Sequence, residues 1–246
     1  IAREEAERAN RAKDEFLAVV AHELKQPLSA MLPAVALIRH RIGAEARASV
    51  ERTLDLLNRQ IAHLHRVVND LLDASRVVRG QVTLQPRVVD AVQIMRDAIE
   101  AIRPRTEERH QRLVVDLSER PARLNADPVR LQQVFLNVLS NAASYTPPNG
   151  EIHVGAEIEA DHVVFRVADS GEGIAPADLS RIFGLFTRAG GRREGGFGIG
   201  LAVARSLIEL HGGTIQAYSE GPGRGSEFRI TLPARNVLEV PVRQTA

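Results

Sequence analysis

His22 sits in the run His22-Glu23-Leu24-Lys25-Gln26-Pro27. An exposed imidazole of near-neutral pKa can act as a nucleophile through its unprotonated nitrogen. The neighbouring carboxylate of Glu23 can accept the proton of the other nitrogen. A lone histidine on a helix is usually a plain surface residue, so its context carries the argument. Asn137 and Asn141 are four residues apart and share one helix face, beside an apolar face of Leu131, Phe135, Val138 and Ala142. An asparagine offers a hard oxygen that suits Mg²⁺ and an amide that can bond a phosphate; two surface asparagines are the alternative. In Ala168-Asp169-Ser170-Gly171-Glu172-Gly173-Ile174 an aspartate ends an apolar stretch and two glycines follow. Glycines there permit close backbone approach to a ligand, and a buried carboxylate can accept a bond from an exocyclic amine such as that of adenine. An ordinary hairpin turn has the same composition. Gly195-Gly196-Phe197-Gly198-Ile199-Gly200-Leu201 opens an apolar helix. Glycines at a helix start expose backbone N–H groups to anions, and they also serve plain turns. The spacing is not that of a P-loop, and no strand precedes it as in a dinucleotide fold. Arg188–Gly196, rich in Gly and Arg with little to pack, reads as a mobile flap over the phosphates.

These residues need elements to hold them. Leu17, Leu24, Met31 and Ile38 recur every seven residues, as do Ala21, Leu28, Val35 and Ile42. This is a heptad seam that ends at Gly43. A second helix carries Leu54, Ile61, Val68 and Ser75 at one seam position and Leu57, Leu64, Leu71 and Val78 at the other, ending at Gly80. One hairpin cannot bury both seams, and two paired hairpins can. The spacing therefore predicts a homodimer through residues 11–80. Pro27 and Pro33 lie within the first helix and predict a kink near Pro27; a helix ending there is the alternative. Past Gly80, strands are expected at Gln81–Gln85, Arg112–Ser118, Glu151–Glu157, His162–Ala168, Thr214–Tyr218 and Glu227–Leu232. Helices are expected at Asp90–Arg103, Asp127–Tyr145, Ala177–Phe183 and Ile199–His211. That mixture lacks a regular βαβ repeat and reads as an α/β sandwich.

Composition removes several classes of function. The 246 residues suffice for one to two domains. Lys+Arg is 32 and Asp+Glu is 31, which argues against a broad basic surface for nucleic acid. Only Lys13 and Lys25 are lysines, so lysine-based covalent chemistry has few candidates. The chain has no cysteine, hence no disulfide, thiolate nucleophile or cysteine zinc site. No apolar run approaches the roughly 18 residues of a membrane span, and no signal peptide stands out. The chain starts at Ile1 rather than Met and reads as a fragment of a longer protein, with a cytoplasmic location expected.

Taken in order, the four motifs resemble those of sensor histidine kinases of two-component systems, from about Arg11 to Pro233, most like those of hybrid kinases. The resemblance implies a helical hairpin forming a dimeric four-helix bundle, followed by an α/β sandwich of the gyrase/Hsp90/histidine-kinase ATPase type. Residues 1–15 would be a signalling helix or linker and 16–80 the dimerisation and phosphotransfer domain. Residues 81–233 would be the catalytic ATP-binding domain and 234–246 a tail or linker. His22 matches the phosphorylated histidine and Glu23 its acidic neighbour. Asn141 matches the Mg²⁺ ligand and Asn137 the second asparagine of that motif. Tyr145 matches the aromatic beside the nucleotide, and Asp169 the adenine-reading aspartate, with Gly171 and Gly173 shaping the pocket. Phe183 and Phe186 match an aromatic pair before the lid, and Arg188 a basic residue near the γ-phosphate. Gly196, Gly198 and Gly200 match glycines at the end of the lid, and Ser226 a small hydroxyl near the adenine.

Three positions depart from the family pattern. Ser144 stands where a Lys or Arg that contacts phosphate is usual, unless Arg188, Arg192 or Arg193 compensates. Gln26 replaces a Thr or Asn linked to dephosphorylation of the partner, and Phe197 replaces a smaller residue. The implied function is ATP- and Mg²⁺-dependent autophosphorylation on His22, then phosphoryl transfer to an aspartate of a response-regulator receiver domain. Input would come from an upstream sensor domain. The alternative is a dimeric nucleotide-binding regulator without catalysis. A clamp-type ATPase of the same fold and a DNA-binding protein rank behind both.

Overall fold

A computed structural model describes residues 82–159, 161–185, 187 and 198–234, with positions 53, 54, 56–58, 60, 61, 64 and 76. The chain divides into two compact units, Ile1–Ser75 and Arg76–Ala246. In the first, the described positions are helical. Leu54 and Ile61, of one seam series, are 46% and 56% exposed, whereas Leu57 and Leu64, of the other, are half-buried. The expected first hairpin helix and the kink expected near Pro27 lie outside the described residues.

The second unit runs β1 (Arg87–Asp90), α1 (Ala91–Glu108), β2 (Arg112–Leu117), β3 (Arg123–Ala126), α2 (Pro128–Tyr145), β4 (Glu151–Ile158) and β5 (His162–Asp169). After these come α3 (Pro176–Leu179), α4 (Gly200–Leu210), β6 (Thr214–Tyr218) and β7 (Ser226–Pro233). The main sheet has the order β2-β4-β5-β7-β6, and β1 pairs with β3 in a separate two-stranded sheet. Only β2 and β4 run parallel in the main sheet. Strand β5 alternates strictly, with Val163, Phe165, Val167 and Asp169 buried. That period of two puts one face toward the core. Phe165 meets Phe135 of α2 at a ring separation of 4.8 Å. Leu131, Val134, Phe135, Val138 and Leu139 of α2 are wholly buried, as are Leu207 and Ile208 of α4. The α/β sandwich expected from the sequence is borne out.

Several boundaries differ from expectation. The strand expected at Gln81–Gln85 is absent from 82–85, and β1 starts at Arg87. The Gln85 N–H bonds the Asp127 carboxylate at 3.0 Å instead of a neighbouring strand, and Pro86 has no N–H. Helix α1 continues past Pro104 to Glu108 because Ile102 and Thr106 on either side of the proline are both buried. The Thr106 hydroxyl also donates to the Arg103 carbonyl at 2.8 Å. The helix expected at Ala177–Phe183 is a single turn, α3, opened by Pro176. The four-residue strands β1 and β3 were not foreseen; each is too short to show a period. Among the described residues, no helix is long and apolar enough to cross a membrane.

Candidate functional site

Helix α2 starts where Asp127 caps it, accepting from the Val129 and Arg130 N–H groups at 3.0 and 3.2 Å. Pro128 follows at the first helical position, where its missing N–H costs nothing. The apolar face goes under the sheet. Asn137, Asn141 and Tyr145 form a half-buried stripe along its flank, four residues apart each time. The Asn137 amide donates to the Gly200 carbonyl at 3.0 Å, so the stripe meets the start of α4. No side chain caps that start, and its first turn holds no acidic residue. An 11-residue helix with bare N-terminal amides favours an anion. Gly198 holds φ +66°, a conformation that suits glycine. Gly200 is not sterically required: a Cβ there would lie 3.5 Å from Asn137 Cγ, ordinary contact.

The far end of the stripe meets the loop after β5. Asp169 ends that strand 9% exposed, in register with Ser226 of β7. The Ser226 hydroxyl donates to Asp169 Oδ2 at 2.5 Å, and the Gly171 N–H to Oδ1 at 2.8 Å. Burial pushes the Asp169 carboxyl up from its ordinary value, and these bonds offset only part of the rise. A carboxylate so placed gains from a further donor, such as an amine of a ligand. Gly171 is packed against α2: a Cβ would fall 2.5 Å from the Tyr145 carbonyl oxygen and 2.6 Å from Asp169 Oδ1. At Gly173, φ +68°, a Cβ would fall 2.1 Å from the Gly221 carbonyl oxygen. The loop is tied on both sides, by Glu172 N–H to the Tyr145 carbonyl at 3.2 Å and Gly225 N–H to the Gly171 carbonyl at 3.1 Å.

The tertiary structure thus gathers Asn137, Asn141, Tyr145, Asp169, Gly171, Gly173, Gly198, Gly200 and Ser226 around one flank of α2. Phe183 stands apart from these bonds, edge-on to Phe228 at 6.4 Å with the Arg205 guanidinium 5.8 Å from its ring centre. His22, Glu23, Gln26, Phe186, Arg188, Arg192, Arg193, Gly196 and Phe197 lie outside the described residues. Two contributors escaped sequence reasoning. Ser219 accepts from the Ile174 N–H at 2.9 Å and donates to the Gly225 carbonyl at 2.6 Å, clamping the two glycine loops together. A serine in a Gly-rich loop carries no sequence signal for that. The other is Arg105, which donates to the Ser144 hydroxyl at 2.9 Å from α1.

For a metal, no group of three or more His, Asp or Glu side chains converges among the described residues. A cage made by protein alone is therefore absent there. A single asparagine oxygen on the stripe fits Mg²⁺, which commonly takes few protein ligands and completes its shell with phosphates and water.

Comparison with known proteins agrees with this arrangement. Residues 12–80 match the family model described as His Kinase A (phospho-acceptor) domain. Residues 126–236 match the one described as Histidine kinase-, DNA gyrase B-, and HSP90-like ATPase. The alginate biosynthesis sensor protein KinB of Pseudomonas aeruginosa is 33% identical over 223 residues, 91% of this chain and 37% of its own length. The circadian input-output histidine kinase CikA of Synechococcus elongatus is 33% identical over 240 residues, 95% of this chain and 32% of its own. The full-length ShkA structure in complex with AMPPNP aligns with TM-score 0.65 and 32% identity, over 89% of this chain and 45% of that one. The chain spans about a third of the length of the curated relatives it matches.

Proposed function

We propose that this chain, which belongs to the sensor histidine kinases of two-component systems, binds ATP in its second unit and autophosphorylates on His22. One observation carries the ATP reading: the buried Asp169 acceptor with its Ser226 and Gly171 donors shares the flank of α2 with an uncapped helix N-terminus. The first suits the base and the second the phosphates, and the Asn137–Asn141–Tyr145 stripe runs between them. Asp169 accepts from the adenine amine, with Gly171, Gly173 and Ser226 forming the walls, and Tyr145 packs beside the nucleotide. Asn137, Gly198 and Gly200 border the phosphates, together with Phe186, Arg188 and Gly196. Asn141 holds Mg²⁺, which would neutralise charge on the transferring group.

In the transfer, an unprotonated nitrogen of His22 forms a bond to the γ-phosphorus. The bond from that phosphorus to the β-γ bridging oxygen breaks, leaving ADP, and Glu23 receives the proton of the other ring nitrogen. Catalysis rests on positioning and charge neutralisation. The phosphoryl group then passes to an aspartate of a receiver domain, with Gln26 beside the histidine. The reading assigns 1–15 to a signalling helix or linker, 16–80 to dimerisation and phosphotransfer, 81–233 to catalysis and 234–246 to a tail. It includes an upstream sensor domain in the parent protein, a cytoplasmic location for this part and a homodimer. The exposure of Leu54 and Ile61 at one seam position supports the dimer.

The test is incubation of the intact chain with radiolabelled ATP and Mg²⁺, beside His22→Ala. Acid-labile label that is lost in the variant is the expected result. Bound nucleotide without label would instead favour the non-catalytic regulator, which Ser144 motivates. A light-scattering mass of one chain at micromolar concentration would remove the dimer.

A further inference from the structure

We infer that Ser219, acting through its neighbours rather than on the nucleotide, is the positioning residue that holds the base end of the site in register; this rests on the ATP reading of that site. Two glycine loops build that end. One runs on from Asp169, the end of β5, to Ile174; the other joins β6 to β7 from Ser219 to Gly225. They lie backbone against backbone. A Cβ at Gly173 would fall 2.1 Å from the Gly221 carbonyl oxygen, and one at Gly225 would fall 1.9 Å from the Asp169 carbonyl oxygen. Backbone bonds zip the near half: the Gly225 N–H donates to the Gly171 carbonyl at 3.1 Å and the Gly223 N–H to the Glu172 carbonyl at 2.6 Å. At Ile174 the acceptor is a side chain instead, Ser219 Oγ, at 2.9 Å.

A serine hydroxyl has one proton to give and two lone pairs, and here all of them are used. Ser219 Oγ accepts from the Ile174 and Gly221 N–H groups at 2.9 and 3.2 Å. It gives its proton to the Gly225 carbonyl at 2.6 Å, with the Gly221 carbonyl farther off at 3.4 Å. One oxygen thus pins both loops at a single point. The pinned groups flank the two donors to Asp169. Gly225 immediately precedes Ser226, and Ile174 follows Gly171 by three residues. Ser226 and Gly171 hold the Asp169 carboxyl at 2.5 and 2.8 Å. An alanine at 219 leaves the Ile174 and Gly221 N–H groups without this acceptor and lets the loops shift against each other. A hydrogen bond weakens steeply with misalignment, so the bond from Asp169 to a ligand amine suffers. The anion end, at the start of α4, keeps its geometry.

The experiment titrates the intact chain with ATP and, separately, with inosine triphosphate, both with Mg²⁺ present. Inosine triphosphate carries a carbonyl oxygen where ATP has its amine. Ser219→Ala is expected to weaken ATP roughly tenfold, the scale of one hydrogen bond to a charged group. It weakens inosine triphosphate far less, so the preference for ATP narrows. Ser219→Thr keeps the hydroxyl and keeps the preference. Asp127→Ala, which removes the cap at the start of α2, serves as the stability control and leaves the preference unchanged. Equal ATP affinity in Ser219→Ala and the parent chain overturns the inference. A parallel loss of both nucleotides also overturns it, because a merely structural serine would lower the folded fraction for both alike. Should Ser219→Ala not fold, amide hydrogen exchange of the nucleotide-free parent chain decides. The Ile174 amide protected like those of Gly171 and Gly225 is the expected result, and exchange at the rate of open chain overturns the inference. No ATP binding by the parent chain, or equal binding of the two nucleotides, overturns the reading of Asp169 itself, and this inference with it.

Discussion

Asp127 and Asp169 are both nearly hidden as residues, 7% and 9% exposed, but the Asp169 carboxyl lies deeper than that of Asp127, and the two carboxyls move in opposite directions. Burial pushes Asp127 up, but the N–H groups of Gln85, Arg130 and Val129 and the Arg130 charge more than reverse it, leaving it below its ordinary value. At Asp169 burial prevails over Ser226 and Gly171, and the carboxyl ends above its ordinary value. The first carboxylate is spent on the backbone: it caps α2 and holds residue 85. The second sits in a low-dielectric wall with no cation among its causes of shift. Depth of the carboxyl together with its donors thus separates a fold-holding acid from one that gains by meeting a ligand.

The strongest way to break this contrast is Asp169→Asn. Adenine-nucleotide affinity should fall roughly 10- to 100-fold, the range for losing a hydrogen bond to a charged group. Unchanged calorimetric affinity would remove Asp169 from the site. Next in size is Gly225→Ala. At φ +70° a Cβ would fall 1.9 Å from the Asp169 carbonyl oxygen, so urea unfolding of the intact chain should show a loss of about 2 kcal/mol, within the range of local backbone strain. Nucleotide affinity should fall with it. Asp127→Ala should lose about 1 kcal/mol of stability, as for other helix caps, with nucleotide affinity unchanged; a loss of affinity would merge the two roles.

The smallest effect is the sign of the pH dependence. An unfolded aspartate titrates at about 3.9. Asp127 lies below that value when folded, so its stabilisation is present above it and is lost as pH falls through the folded value. The gap between the parent chain and Asp127→Ala should narrow on acidification. Asp169 lies above that value when folded, so its contribution is full below about 3.9 and is lost as pH rises through the folded value. The parent chain should therefore lose stability relative to Asp169→Asn as pH rises. Unfolding curves at several pH values, with both gaps moving the same way, would contradict the contrast.

Much of the site was legible as local chemistry. The asparagine pair, the Asp169-x-Gly-x-Gly turn and the glycines before α4 are each confined to a few consecutive residues or one helix face. Strand β5 alternates in burial over its eight residues and β4 over its first four. Strand β1 was misplaced because its start is decided by Asp127, 42 residues away from Gln85. Helix α1 outran Pro104 because packing of Ile102 and Thr106 outweighed a local breaker. Ser219 and Arg105 were invisible because each acts on a partner that the fold, not the chain, brings near.

By itself the sequence determined which groups this protein can use: a histidine within a heptad pattern, amide oxygens on a stripe, a carboxylate before a glycine turn, and no thiol. These follow from residue type and from periods of 2, 3.6 and 3.5 that any chain of this pattern must obey. Only the tertiary structure decided that Ser226 would lie across from Asp169, that Gly171 must lack a side chain because Tyr145 is there, and that an arginine of α1 would rest on Ser144. The reason is physical: strand register and helix packing set distances between residues 26 to 57 positions apart, and no local propensity encodes those.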